Sequence, residues 1–144
     1  MANIHRKANA QWTGDLKSGS GTITTPSGVL QAAPYSFRTR FEDQPGTNPE
    51  ELIAAAHAGC FTMAFSNVLK TAGYEPRDLA TEATLGMSMD GGPKLTTMHL
   101  VVRGKADGLD QTQFQALAEQ AEQGCPVSGA LRGNLQITVE ATLE

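Results

Sequence analysis

Two cysteines, Cys60 and Cys125, pose the question of chemistry in this 144-residue sequence. The thiolate of a cysteine is its nucleophile and its metal ligand, so ionisation governs what each can do. The two lie 65 positions apart, at 60 and 125, far from the local C-x-x-C spacing of redox turns and zinc ribbons. Two cysteines without clustered histidines make a poor metal site, and no metal or cofactor is expected. What remains is a thiol pair that the fold must bring together.

Each thiol also has an ordinary reading. Cys60 lies in a charge-free helical stretch, where a free cysteine usually serves as a small buried hydrophobe. Cys125 precedes Pro126, which places it at or near a helix N-cap, where the helix end stabilises a thiolate. An incidental loop cysteine is the other reading of Cys125, and position alone leaves the two open. An arginine would complete a thiol site, because its fixed charge stabilises a thiolate and its fork can orient an oxygen. Arg38 and Arg40 are the candidates, and a solvated strand face is the ordinary role of either. Glu50 precedes Cys60 by ten residues, about 15 Å along a straight helix. The two cannot touch within one chain unless the helix breaks, so a site holding both must combine two subunits. Otherwise Glu50 only decorates the helix start. His57, one turn before Cys60, could act as its base but reads as a packed, hydrogen-bonded histidine. His99, on a strand face with Thr97, Val101 and Arg103, reads as structural. His5 falls in the N-terminal end.

The elements that must position these residues follow from pattern. Residues Ala10 to Phe41 read as short strands, with a turn at Thr25-Pro26-Ser27-Gly28. Tyr35, Phe37, Thr39 and Phe41 alternate with Ser36, Arg38 and Arg40, which predicts a strand with both arginines on one face. After a loop at Asp43 to Thr47, Asn48 caps a helix, with Pro49 at its first position and Glu51 placed for a capping box. That helix runs to about Ala72, where Gly73 stops it. Thr81 to Asp90 and the run Met98, Leu100, Val102 form a hairpin around Asp90-Gly91-Gly92-Pro93. Ala83, Leu85, Met87 and Met89 share one of its faces. Asp110 to Gln123 is a second helix and Pro126 to about Leu131 a short third. Leu135 to Leu143 is a final strand. The order predicts one α+β domain over residues 1–144, with antiparallel sheets, a long central helix and shorter helices.

Composition limits the function. The apolar share of 40% can build a modest core, and the net charge of −4 supplies no basic patch for nucleic acid or an anionic membrane. The 18 residues from Leu52 to Leu69 carry no charge, which is the edge of spanning length. Their His57, Thr62, Ser66 and Asn67 and many small residues favour a helix buried in protein. No apolar stretch of signal-peptide type follows Met-Ala-Asn-Ile-His-Arg-Lys, so the cytoplasm is expected. Thiols there stay reduced, and a cysteine pair is catalytic or redox-active more often than a staple. Strand faces richer in apolar surface than one helix layer can cover, with an Ala-Gly-rich helix, hint at an intertwined homodimer.

Two segments carry a resemblance over essentially the whole chain. Thr47-Asn48-Pro49-Glu50-Glu51-Leu52-Ile53-Ala54-Ala55-Ala56-His57-Ala58-Gly59-Cys60-Phe61 resembles the signature helix of the OsmC/Ohr family. That family comprises osmotically inducible protein C and the organic hydroperoxide resistance protein. Gly124-Cys125-Pro126-Val127-Ser128 resembles its second cysteine motif. Phe37-Arg38-Thr39-Arg40-Phe41-Glu42 and Trp12-Thr13-Gly14-Asp15 look like the OsmC branch. Gly59 departs from the alanine common in relatives. The arginine of the hydroperoxide-resistance branch comes from another part of the N-terminal region.

The resemblance implies an intertwined α+β homodimer with sites at the subunit interface. It implies a stress-response peroxidase in which Cys60 attacks the distal oxygen of an organic hydroperoxide and becomes a sulfenic acid. Cys125 resolves this to a disulfide. It selects Arg40 over Arg38, and Glu50 over Glu51, as the pair that activates Cys60. The implied reductant is a dithiol such as dihydrolipoamide, often on a lipoylated protein. Two other classes compete: a ligand-binding or structural dimer with inert cysteines, and a redox sensor that oxidises once.

Overall fold

In the computed structural model, residues 3–144 are described. Met1 and Ala2, the start of the segment read above for a signal sequence, lie outside them. The chain gathers into two units, one ending at Leu52 and the other running from Ile53 to Glu144.

In the first unit, strands β1 (Asn9–Thr13), β2 (Ser20–Thr24) and β3 (Ala33–Tyr35) form an antiparallel sheet in that order. Trp12 and Tyr35 both pair with Gly21, and their rings meet with centroids 5.4 Å apart. A Cβ on Gly21 would lie 2.6 Å from the Trp12 ring and 2.7 Å from that of Tyr35, so only glycine fits there. The Thr25 to Gly28 turn forms as expected, with the Gly28 N–H donating to the Thr25 carbonyl at 3.0 Å.

The predicted strand from Tyr35 to Phe41 is corrected: only Tyr35 belongs to a strand, and Phe37–Phe41 is a short helix, α1. Ser36 caps it, accepting from the Thr39 N–H, while the Thr39 hydroxyl accepts from the Ser36 N–H. Four residues apart, the Phe37 and Phe41 rings meet at a tilt on one helix face, centroids 4.9 Å apart. Alternating aromatics over five residues fit either period, and the local caps decide for the helix. Arg38 and Arg40 therefore do not share a face.

Helix α2 (Pro49–Thr71) starts at the end of the first unit and continues unbroken into the second. The Asn48 side chain accepts from the Glu51 N–H at 2.8 Å. The Glu51 carboxylate takes the Thr47 hydroxyl instead of closing the box. Gly73, at φ +96°, ends the helix, and the Tyr74 N–H reaches back to the Leu69 carbonyl.

In the second unit, β4 (Arg77–Ser88), β5 (Lys94–Lys105) and β6 (Gln136–Leu143) form a sheet in that order. β4 and β5 make the predicted antiparallel hairpin. A register shift between Gly86 and Met87 breaks the alternation, and Met89 falls beyond the strand, exposed. That corrects the expectation that Met89 shares one strand face with Ala83, Leu85 and Met87. β6 pairs parallel to β5, which corrects the expectation of wholly antiparallel sheets. Helices α3 (Gln111–Gly124) and α4 (Pro126–Leu131) lie in the connection, which is long enough to return the chain to the same end of the sheet. The open edge of β6 is satisfied by α3. Gln111 and Gln115 bond its Val139 and Ala141 carbonyls and its Ala141 and Leu143 N–H groups.

The core joins Phe61, Phe65 and Leu69 of α2 to Met98, Leu100 and Val102 of β5 and to Phe114, Ala118 and Ala121 of α3. Each large side chain so buried contributes roughly 1.5–3 kcal/mol. Helix α2 is long and apolar enough to cross a membrane by length and composition. In this unit it buries one line, His57, Phe61, Phe65 and Leu69, and leaves Ala55, Gly59, Met63 and Asn67 exposed. The expectation of a buried helix therefore holds for one stripe of it.

Candidate active site

In the first unit, α1 and the start of α2 set Arg40 against Glu50. The Arg40 Nε donates to Glu50 Oε1 at 2.9 Å and its Nη2 lies 2.8 Å from the same oxygen. The Glu50 side chain is only 13% exposed, so the pair is partly shielded from water. The guanidinium also lies over the Phe41 ring, 5.0 Å from its centroid. It lines an apolar pocket with Trp12, Leu16, Tyr35, Phe37 and Phe41. Arg38 pairs instead with Glu42 at 3.4 Å, both well exposed, where an ion pair is worth little. Caps that turn these residues into a helix thus give the two arginines different surroundings.

In the second unit, α2 and α4 bring the cysteines together. Both thiols are free, and the Cys125 S–H donates to the Cys60 sulfur at 3.2 Å. Cys125 ends α3 and precedes Pro126 at the start of α4, buried. Its side chain makes no capping hydrogen bond. The start of α4 acts on the other thiol: burial pushes the Cys60 thiol up, the Val127 N–H pulls it partly back, and the Cys125 thiol raises it further. Cys60 opens on a groove with Met63, Ala64, Asn67, Val68, Ala121, Gly124 and Pro126.

Beside the thiols, His57 is fully buried, and its Nε2 lies 2.6 Å from the Ser128 hydroxyl. Burial lowers its pKa, which Glu122 opposes and Arg132 reinforces, so the ring is neutral at pH 7. Its Nδ1 has no hydrogen-bond partner among the described residues. Arg132, just after α4, bonds the Glu122 carbonyl at 3.1 Å and its carboxylate at 2.7 Å. That closes the elbow at Cys125.

Comparison with known proteins gives the family. The family model for OsmC-like protein matches residues 41–140, a span that includes both cysteines and Glu50 but starts one residue after Arg40. The chain belongs to the OsmC-like family. It is 44% identical over 135 residues to peroxiredoxin OsmC of Escherichia coli, covering 93% of this chain and 94% of that protein. It is 37% identical over 124 residues to the organic hydroperoxide resistance protein OhrB of Bacillus subtilis, covering 84% and 88%. The crystal structure of that OhrB superposes with a TM-score of 0.73 at 32% identity, over 94% of this chain and 98% of that one.

This OsmC-like chain pairs Cys60 with Cys125 and Arg40 with Glu50. His57 is packed and hydrogen-bonded, as read from the sequence. His99 stands on the exposed sheet face against Thr138 and Glu140. The sequence reading missed Ser128, the Val127 N–H, Glu122 and Arg132. Ser128 and Val127 stand in the Cys125 motif, three and two residues after the thiol. Glu122 and Arg132 offered no signal, because their pairing depends on the bend between two helices.

Proposed function

We propose that this OsmC-like protein is a cysteine-based peroxidase that reduces organic hydroperoxides. The contact of two unbonded thiols at 3.2 Å carries the reading. A disulfide needs its sulfurs about 2.05 Å apart, so the pair closes with a small movement. The names of the relatives, peroxiredoxin OsmC and organic hydroperoxide resistance protein, support the same chemistry. In the first step the Cys60 thiolate attacks the distal oxygen of R–O–OH. The O–O bond breaks, the alcohol leaves with a proton, and Cys60 becomes a sulfenic acid. The Cys125 thiol then attacks that sulfur, the S–S bond forms, and the hydroxyl departs as water. A dithiol such as dihydrolipoamide, free or on a lipoylated protein, returns both thiols by exchange.

Arg40, held by Glu50, supplies the charge that makes Cys60 a thiolate and orients the peroxide. Ten residues of unbroken helix separate Glu50 from Cys60, about 15 Å of rise. Arg40 and Glu50 therefore serve the Cys60 of a second copy, in an intertwined homodimer with two interface sites. The uncovered stripe at Ala55, Gly59 and Met63 offers a second copy an apolar surface. The aromatic pocket beside Arg40 suits the organic group better than hydrogen peroxide. Residues 1–144 act as one domain, in the cytoplasm, in the stress response.

Turnover tests the reading. With dihydrolipoamide present, the protein is expected to consume many equivalents of tert-butyl hydroperoxide, faster than hydrogen peroxide. One equivalent per Cys60 and no more would make it a sensor, and no consumption would make the cysteines inert.

A further inference from the structure

The neutral, buried His57 takes no part in the steps above, and its surroundings are costly. A fully buried imidazole with one nitrogen unpartnered among the described residues costs stability, and an apolar side chain of similar size would avoid that cost. Such a group calls for a reason other than stability. Position supplies one. His57 lies three residues before Cys60 on α2, and Ser128 lies three residues after Cys125 on α4. Residues three apart on a helix are neighbours on one face. The His57–Ser128 hydrogen bond at 2.6 Å and the sulfur contact at 3.2 Å are thus two adjacent rungs between the same two helices.

Helix α4 has only six residues and cannot hold its own place. Arg132 ties its far end to α3, and the polar contacts that hold it against α2 are the Val127 N–H on Cys60, the sulfur contact and the His57–Ser128 bond. Contacts at Cys60 alone allow pivoting about that residue, and the His57–Ser128 bond one turn away fixes the register. We infer that His57 and Ser128 are positioning residues for disulfide closure, holding the Cys125 thiol against Cys60 while the sulfenic acid forms. The inference rests on the peroxidase reading for its biological meaning. The groups that bear on the His57 ring are Glu122 and Arg132, which hold the elbow rather than the rung. In the step served, the Cys125 sulfur bonds to the Cys60 sulfur, the S–O bond of the sulfenic acid breaks, and water leaves with the Cys125 proton.

Two measurements on the full-length protein test this. In the first, one equivalent of tert-butyl hydroperoxide is added without dithiol, and quenched samples are read by mass spectrometry for sulfenic acid, disulfide and sulfinic acid. Ser128→Ala and His57→Leu are expected to form sulfenic acid at the wild-type rate. They should close the disulfide about tenfold more slowly, the factor that loss of one buried hydrogen bond corresponds to, and accumulate sulfinic acid. His57→Gln keeps an amide near the Nε2 position that can donate to or accept from the Ser128 hydroxyl, and should recover most of the closure rate. The double variant should be no worse than either single one, because both break the same rung. The second measurement needs no peroxide. Equilibration with dithiothreitol should show the disulfide weakened about tenfold, or about 30 mV, in the two single variants. Gln115→Ala, which loses bonds to β6, controls for stability and should change neither readout. Closure at the wild-type rate with an unchanged equilibrium in both single variants would overturn the inference, as would an equal effect from Gln115→Ala. If the wild type forms no sulfenic acid but the dithiol equilibrium still responds, the peroxidase reading falls and the positioning role stands.

Discussion

Arg40→Ala should slow the oxidation of Cys60 by about tenfold at pH 7. Within its own unit Cys60 has the wrong ionisation for a nucleophile. Burial raises its pKa, and the Val127 N–H offsets only part of that. A raised pKa keeps the thiol protonated over more of the pH range, so thiolate is scarce at neutrality. In the proposed dimer the Arg40 cation of a second copy lies close to Cys60 and lowers its pKa, because an opposite charge at short distance favours the thiolate. Thiolate then becomes more abundant while each thiolate becomes less nucleophilic, and with a Brønsted slope near 0.5 the net gain in rate is on the order of tenfold. The assay is the pH dependence of Cys60 alkylation and peroxide oxidation in a Cys125→Ser background. Arg40→Ala should move the alkylation midpoint upward, and its deficit in alkylation should vanish once the pH exceeds the new midpoint. Arg40→Lys should restore the midpoint in part, because it keeps the charge and loses the fork that Glu50 grips. Arg38→Ala should leave the curve in place, since Arg38 is exposed and paired with Glu42. A midpoint that moves with Arg38→Ala and not with Arg40→Ala would refute the reasoning.

Cys60→Ser should abolish peroxide reduction with the fold intact by circular dichroism; activity near wild type would exclude Cys60 as the attacking thiol. Cys125→Ser should undergo one oxidation and trap a sulfenic acid on Cys60, and failure to detect that adduct by mass spectrometry counts against Cys125 as resolver. Sedimentation should find a homodimer, and a fully active monomer would contradict a site shared between copies. Gly59→Ala should stabilise the protein by about 1 kcal/mol, because an added Cβ meets nothing within 4 Å in the chain. A lower melting temperature would mean that a second copy needs the glycine.

Much of the architecture is local and so could be read from the sequence. Asn48, Pro49 and Gly73 bound α2 because caps and terminators act on their own few residues. Asp110 likewise starts α3, accepting from the Gln113 N–H. The spacing of Phe114, Ala118 and Ala121 marks a buried helix face because burial follows helical period. The residues in the two candidate clusters were also legible, and the resemblance chose Arg40 and Glu50 from equal neighbours. Other features needed the tertiary structure. Whether five alternating residues around Arg40 form strand or helix turned on two mutual hydrogen bonds between Ser36 and Thr39. β6 runs parallel because α3 and α4 carry the chain back across the sheet, and an alternating strand looks the same in either direction. The Cys60 and Cys125 sulfurs meet across 65 positions through the packing of α4 on α2. The Val127 N–H reaches Cys60, not Cys125, because α4 starts against α2. Sequence names the groups that can react, and only the packed helices set which of them touch.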